Sequence, residues 1–335
     1  MTILFIEGFD HFSTAQLTDK KNIVDNANCT VGAFGRFGGR GLSLTTNIYY
    51  FRVDFKTNKS TIYFGIAFKK VEGQSPVASF AQPWIVIMDE AGVSQIRLIM
   101  TANNGISAYF GDGTLLGSTA DHVIPNIRWI YLEGKITISD TVGEVTLRVN
   151  ETQVLNLTSK DTKYGSDYIR FIKFHAINSG IDVYYDDLYV DDAQFHGDCR
   201  VKVFVPDSIS GTNNSFTASA GNKNECVDEI YSNEDTDYIY SSTLNHKQGF
   251  GITTGALGTV KAIQLNNHCR DDAAGSRKIT PFIRSNSTDY LGTESDVITS
   301  EYLFESDVWE TDPDDSNPWT QTKLEAAEFG LEITT

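Results

Sequence analysis

Apolar and polar residues alternate along the first half of the chain in short runs separated by turn-forming clusters, the pattern of strands with one buried face. Residues 48–55 alternate after Tyr50, and 61–69 follow, with Asn58, Lys59 and Ser60 as the expected turn. Residues 84–88 are continuously apolar, which suits a strand covered on both faces. Further runs span 94–100, 105–110, 128–138, 144–149, 168–176 and 183–192. Gly, Asn and Asp fill the gaps, and this rhythm predicts a sandwich or jelly roll. No stretch of about twelve residues holds apolar positions at helical spacing.

His196, Gly197, Asp198 and Cys199 read as a junction, so the chain is divided into domains 1–195 and 196–335. In the second part a strand is expected at 200–205, stopped by Pro206. Residues 207–225 are rich in Ser, Asn, Thr and Gly and read as loop. Strands follow at 238–241, 260–268, 279–284 and 297–304. Residues 322–329 read as a short helix with Gly330 as its C-cap, and 331–334 as a closing strand.

Composition strengthens this reading. The 335 residues include 20 Phe, 15 Tyr and 27 Gly but only 3 Met, a balance that favours strands and tight turns. Against 44 Asp and Glu stand 27 Lys and Arg, a net charge of −17. Phosphate backbones and anionic membranes are bound through cations, so neither nucleic acid nor a membrane surface is an expected partner. The N-terminal residues lack the basic and long apolar regions of a secretory signal, and no run of about 20 apolar residues could span a bilayer. Synthesis in the cytoplasm is therefore expected. Cys29, Cys199, Cys226 and Cys269 are widely spaced without a CxxC pair, so zinc is not expected and buried free thiols are.

Three stretches of the first part, taken together, resemble the concanavalin A-like (laminin G-like) jelly rolls of phage proteins. They are Glu7-Gly8-Phe9-Asp10, Arg36-Phe37-Gly38-Gly39-Arg40-Gly41-Leu42 and Tyr185-Asp186-Asp187-Leu188-Tyr189-Val190. The second part resembles a module that follows such domains in tailed-phage structural proteins. The residues that carry it are Gly197-Asp198-Cys199-Arg200-Val201, Phe216-Thr217-Ala218-Ser219-Ala220-Gly221, Cys226-Val227-Asp228-Glu229, Asp235-Thr236-Asp237-Tyr238-Ile239, Lys278-Ile279-Thr280-Pro281-Phe282-Ile283-Arg284, Trp309-Glu310-Thr311-Asp312-Pro313 and Pro318-Trp319-Thr320. The resemblance implies an all-β chain: a jelly-roll sandwich followed by a smaller β domain for virion attachment or assembly. It further implies location in the virion, at tail, neck or capsid surface, with other virion proteins and further copies of itself, as a trimer or ring, for partners.

Candidate chemistry is sparse. Asp182, Asp186, Asp187, Asp191 and Asp192 form an acidic cluster in which Asp182, Asp186 and Asp187 are the candidate Ca²⁺ ligands, since hard cations take several carboxylate oxygens. Glycan contacts are assigned to Trp84, Asn104, Tyr109 and Asp112, an aromatic pair with two rim turns. Glycoside hydrolysis needs two carboxyl groups at a set separation, and Glu133 and Glu144 fall on separate strands. There is no GxSxG elbow, and Gly38-Gly39-Arg40-Gly41 lacks the Lys-Ser/Thr ending of a phosphate loop. The expectation is a non-enzymatic structural or decorating protein, with a host surface glycan held by the lectin-like domain as the alternative and a polysaccharide-degrading enzyme as the third reading.

Overall fold

The alternating runs are strands whose apolar positions turn to one core in the computed structural model, which describes residues 2–45, 49–71, 83–177, 181–272, 277–297 and 301–334. Ile48 and residues 298–300, parts of two expected strands, lie outside the described residues. The chain divides into two units, Met1–Thr18 with Asn22–Val201 and Asp19–Lys21 with Lys202–Thr335.

The first unit contains β1 (Ile3–Glu7), β2 (Ile23–Ala27), β3 (Thr30–Gly32), β4 (Gly41–Leu44), β5 (Tyr50–Lys59), β6 (Thr61–Lys70), β7 (Ile85–Met88), β8 (Ser94–Met100), β9 (Ile106–Phe110), β10 (Leu115–Ser118), β11 (Trp129–Thr137), β12 (Gly143–Val149), β13 (Thr152–Lys160), β14 (Ile169–His175) and β15 (Val183–Asp191). Among the described residues these make two antiparallel sheets. One has eight strands in the order β13-β12-β11-β6-β15-β4-β3, with β1 also on β15; the other has seven, β10-β9-β8-β7-β14-β5-β2. Lys59 ends β5 and Thr61 begins β6, so the chain crosses between sheets at Ser60, where a turn of three residues is expected.

The inner faces meet in an aromatic core. Phe51 stacks on Phe174 at 4.9 Å, Phe68 lies 4.7 Å from Trp84, and Tyr185 meets Phe51 edge-on at 5.5 Å. Their polar atoms are satisfied: Trp84 Nε1 donates to the Tyr185 hydroxyl at 2.9 Å, which donates to the His175 carbonyl at 2.6 Å. This is the all-β jelly-roll sandwich that the pattern predicts. Strands absent from the sequence reading include the short β2, β3, β4 and β10 and the longer β13, an edge strand on which Leu155 alone is buried, so it carries little apolar signal.

The second unit is smaller and also β, with β16 (Ser208–Asn214), β17 (Thr217–Ala218), β18 (Ile239–Tyr240), β19 (Lys247–Gly251), β20 (Ile263–Cys269), β21 (Arg277–Ser285), β22 (Thr288–Leu291), β23 (Ser295–Val297), β24 (Leu303–Trp309), α1 (Gln321–Ala326) and β25 (Glu328–Ile333). Its main sheet runs β16-β19-β25-β21-β22, with β23 on β21. Trp319 and Leu324 of the helical segment pack on Ile283 and Phe329. Residues 200–205 form no strand; the strand lies instead in β16, within the stretch read as loop. Only polar residues of β16, Ser210 and Asn213, are buried, so apolar patterning could not reveal it. The helix ends at Ala327 in extended backbone, and Gly330 lies inside β25, where a Cβ would collide with the Gln248 backbone.

On β6, Gly65 leaves room for the rings of Tyr131 and Tyr189, which a Cβ would strike. Gly65→Ala is expected to lower stability by about 1–3 kcal/mol through overpacking. Urea unfolding measures this, and an unchanged midpoint would mean that the rings swing aside freely.

Candidate functional site

The three stretches that carry the jelly-roll resemblance come together around β15. Its register shifts between Asp186, opposite Ala67, and Tyr189, opposite Gly65, so one extra residue bulges out. Asp187 sits there at φ 50°, a left-handed conformation that Asp tolerates better than most residues. Asp186 Oδ2 accepts the Arg36 N–H at 2.7 Å, and Asp187 Oδ1 accepts that of Val201 at 2.7 Å. Asp10 Oδ1 accepts the Arg40 N–H at 2.6 Å, and Glu7 Oε1 that of Phe9 at 2.8 Å. Burial raises the affinity of Asp186 for its proton, and the charge of Asp187 adds to the rise. Burial raises Asp187 as well, against the pull of the Val201 N–H and Arg36.

These carboxylates hold backbone in place. Asp182 is not part of the group: its carbonyl accepts the Val71 N–H, and it precedes Asp186 by four residues, about 13 Å of strand. Strand geometry thus separates Asp182 from the other two expected Ca²⁺ ligands, Asp186 and Asp187. Among the described residues no group of three His, Cys, Asp or Glu is placed to hold a metal ion.

The outer face of the eight-stranded sheet is covered by the chain itself. Residues 193–201 leave β15 and cross it, beginning with Asp191, whose Oδ1 accepts the Gln194 N–H at 3.0 Å. Phe195 meets Tyr63 edge-on at 5.0 Å and lies under the Arg148 guanidinium at 4.9 Å. The His196 N–H donates to the Tyr189 hydroxyl at 3.0 Å, which donates to Glu133 Oε1 at 2.7 Å. The Gly197 N–H reaches the same oxygen at 2.9 Å, and Arg148 Nη1 lies 3.1 Å from Glu133 Oε2. Cys199 packs on Ala67, Tyr131 and Tyr189. Glu133 is fully buried, whereas Glu144 pairs with Lys135 at 2.5 Å, away from it. The two do not share a rung: Glu133 is opposite Arg148, and Glu144 opposite Thr137.

The outer face of the seven-stranded sheet is different. Strand register lines up Arg52 of β5, Lys173 of β14, Val86 of β7, Arg97 of β8 and Tyr109 of β9 in one row, which Asp25 of β2 continues beyond Arg52 and Leu115 of β10 beyond Tyr109. Arg52 lies over the Phe171 ring at 4.5 Å and Lys173 over Tyr50 at 3.3 Å. His175, beside them, is held neutral, its pKa lowered to about 3 by burial and by the charges of Lys173 and Arg97. Of the expected glycan contacts, Tyr109 belongs to this row and is half-buried. Asp112 is exposed and caps its own turn by accepting the Thr114 N–H at 2.8 Å. Asn104 accepts from Lys70 Nζ at 2.7 Å. Trp84 is 1% exposed and belongs to the core, which rules out ligand contact: the apolar run that marked it is a strand buried on both faces. The row itself escaped sequence reasoning. Its signal is a cation within each of three apolar runs, and only register brings the three together.

No protein-family model matches the chain, nor does any curated protein sequence. Solved structures of similar fold include an endo-β-1,4-glucuronan lyase from the fungus Trichoderma reesei, 14% identical, covering 57% of this chain and 96% of its own at a TM-score of 0.42. The catalytic domain of a glycoside hydrolase family 131 protein from Coprinopsis cinerea is 11% identical, covering 60% of this chain and 98% of its own at 0.40. A carbohydrate-binding module from Bacillus subtilis is 7% identical, covering 51% of this chain and 98% of its own at 0.34. The structural neighbours are thus carbohydrate-binding or glycan-active jelly rolls. A lyase and a hydrolase among them correct the expectation of a non-enzymatic chain, although none of these likenesses assigns an activity to it.

Two outcomes follow from the geometry. Glu133→Ala strips a buried anion from Arg148, Tyr189 and Gly197 and is expected to cost about 3 kcal/mol or more in chemical denaturation; a loss under about 1 kcal/mol would contradict the network. Asp186 has a raised pKa when folded, so its contribution to stability is full below the ordinary carboxylate value and is lost as pH rises through the raised one. Asp186→Asn should therefore gain stability relative to the parent as pH rises from about 4 to about 8. A difference that stays flat over that range would show the carboxyl to be ionised throughout.

Proposed function

We propose that this chain is a glycan-binding protein of a phage particle, whose first unit holds carbohydrate on the outer face of its seven-stranded sheet. The observation that carries the reading is the contrast between the two outer faces. One is occupied by residues 193–201; the other presents half-buried polar and aromatic side chains, Tyr109 among them. Sugars offer apolar faces to aromatic rings and hydroxyls to charged side chains, and both are found on that face. The particle setting rests on the ordered sequence stretches described above. There the second unit would meet further copies or other virion proteins.

A glycan array on the purified chain tests this reading. Saturable binding is expected, weakened about tenfold or more by Tyr109→Ala and left intact by Asp182→Asn. An array that stays blank for the folded protein would overturn it.

A further inference from the structure

We infer that the second unit docks a basic polypeptide segment of another protein on the outward face of β18. Arg or Lys side chains of that segment lie on the rings of Tyr238 and Tyr240, and Asp228, Glu229 and Asp237 supply the opposite charge. The surface belongs to the second unit alone, so it stands or falls separately from the glycan reading.

Burial divides β18 into two sides. Ile239 packs against Phe216, Ile279, Val297 and Ile333, which turns Tyr238 and Tyr240, one residue to either side, outward. They are 41% and 52% exposed, with ring centroids 5.9 Å apart. The pairing of Tyr240 with Thr217, and the Tyr238 N–H donated to Ser219 Oγ at 2.8 Å, hold their backbone in place. Neither hydroxyl has a hydrogen-bond partner among the described residues, and neither ring carries a cation. Elsewhere the protein covers such rings itself: Phe37 lies under Arg36 and Arg200 at 4.9 and 4.4 Å, and Tyr302 under Arg270 at 4.8 Å.

The charge beside the pair is of one sign. Between Lys223 and Lys247 the chain has six carboxylates and no Lys or Arg. Arg270 pairs with Asp235 at 2.7 Å, and Arg277 turns to the Ser242 carbonyl at 3.4 Å. Asp228, Glu229 and Asp237 have no cationic partner among the described residues. The Asn233 side-chain amide donates to Glu229 at 2.7 Å and to Asp237 at 2.5 Å, which holds two like charges together next to Tyr238. Burial raises the pKa of Glu229, and the charges of Asp237 and Asp228 raise it further. A cation brought to them relieves that repulsion.

Arg and Lys suit both parts of this surface, since their heads lie on a Tyr ring while donating to carboxylates at its edge. Tyr is also a common anchor of protein interfaces. The two rings are tilted by 55° to one another and form no flat platform for successive sugars. A second copy of the chain would bring a net charge of −17 against the carboxylates, and a nucleic acid its phosphates.

Fluorescence anisotropy with a short labelled peptide of alternating Arg and Gly, its citrulline counterpart and a glucosamine oligomer tests the docking site. The Arg peptide is expected to bind about tenfold or more tighter than the citrulline peptide. Tyr240→Ala and Asp237→Asn should each weaken it about fivefold or more, while Tyr240→Phe retains binding and guards against misfolding as the cause of a loss. Asp167→Asn, the same change of charge at an exposed position of the first unit, should leave binding unchanged. Equal weakening by Asp167→Asn and Asp237→Asn would reduce the attraction to net charge and overturn the site. Equal binding of the two peptides would overturn it as well. Preference for the glucosamine oligomer, or a dimer in sedimentation that Tyr240→Ala dissociates, would replace the partner.

Discussion

A carboxylate with no exposure to water must find its donors inside the protein, and Glu133 finds them in Arg148, the Tyr189 hydroxyl and the Gly197 N–H. Gly197 can serve only if residues 193–201 lie across the outer face of the eight-stranded sheet. The same segment carries Val201 to Asp187, and Asp198 to Arg36, so it ties the β15 bulge to the loop over 36–40. One buried charge thereby couples the position of a strand, a loop and a chain segment that patterning treats as separate.

The consequence is a contrast between the two outer faces. In a sandwich each sheet gives one face to the core and leaves the other to water. Here the outer face of the eight-stranded sheet is filled with tyrosines, Cys199 and matched charges, a second small core in all but polarity. The seven-stranded sheet keeps long cations and rings on its outer side.

Much of the fold was legible because buried strands write a strong pattern. The runs that became β6, β8, β11 and β14 alternate, and that of β7 is apolar throughout. The pattern fails where strands are held by backbone pairing rather than by apolar side chains, as in β13 at a sheet edge and β16 with its buried Ser210 and Asn213. The candidate site was less legible. Asp186 and Asp187 stood out by their acidity, but their oxygens are spent on the N–H groups of Arg36, Asp187 and Val201. Trp84 stood out as an aromatic, but its size is what places it in the core. Arg52, Lys173 and Arg97 are far apart in sequence, and only strand register makes them neighbours.

The account turns on residues 193–201 being a fixed part of the first unit. Amide hydrogen exchange on the unliganded protein tests this directly. The His196, Gly197 and Val201 amides, bonded to Tyr189, Glu133 and Asp187, should exchange as slowly as the amides of β11 and be released only with global unfolding. Exchange of these amides at the rate of open turns, with β11 still protected, would show that the segment detaches and that the face beneath it is open to ligand.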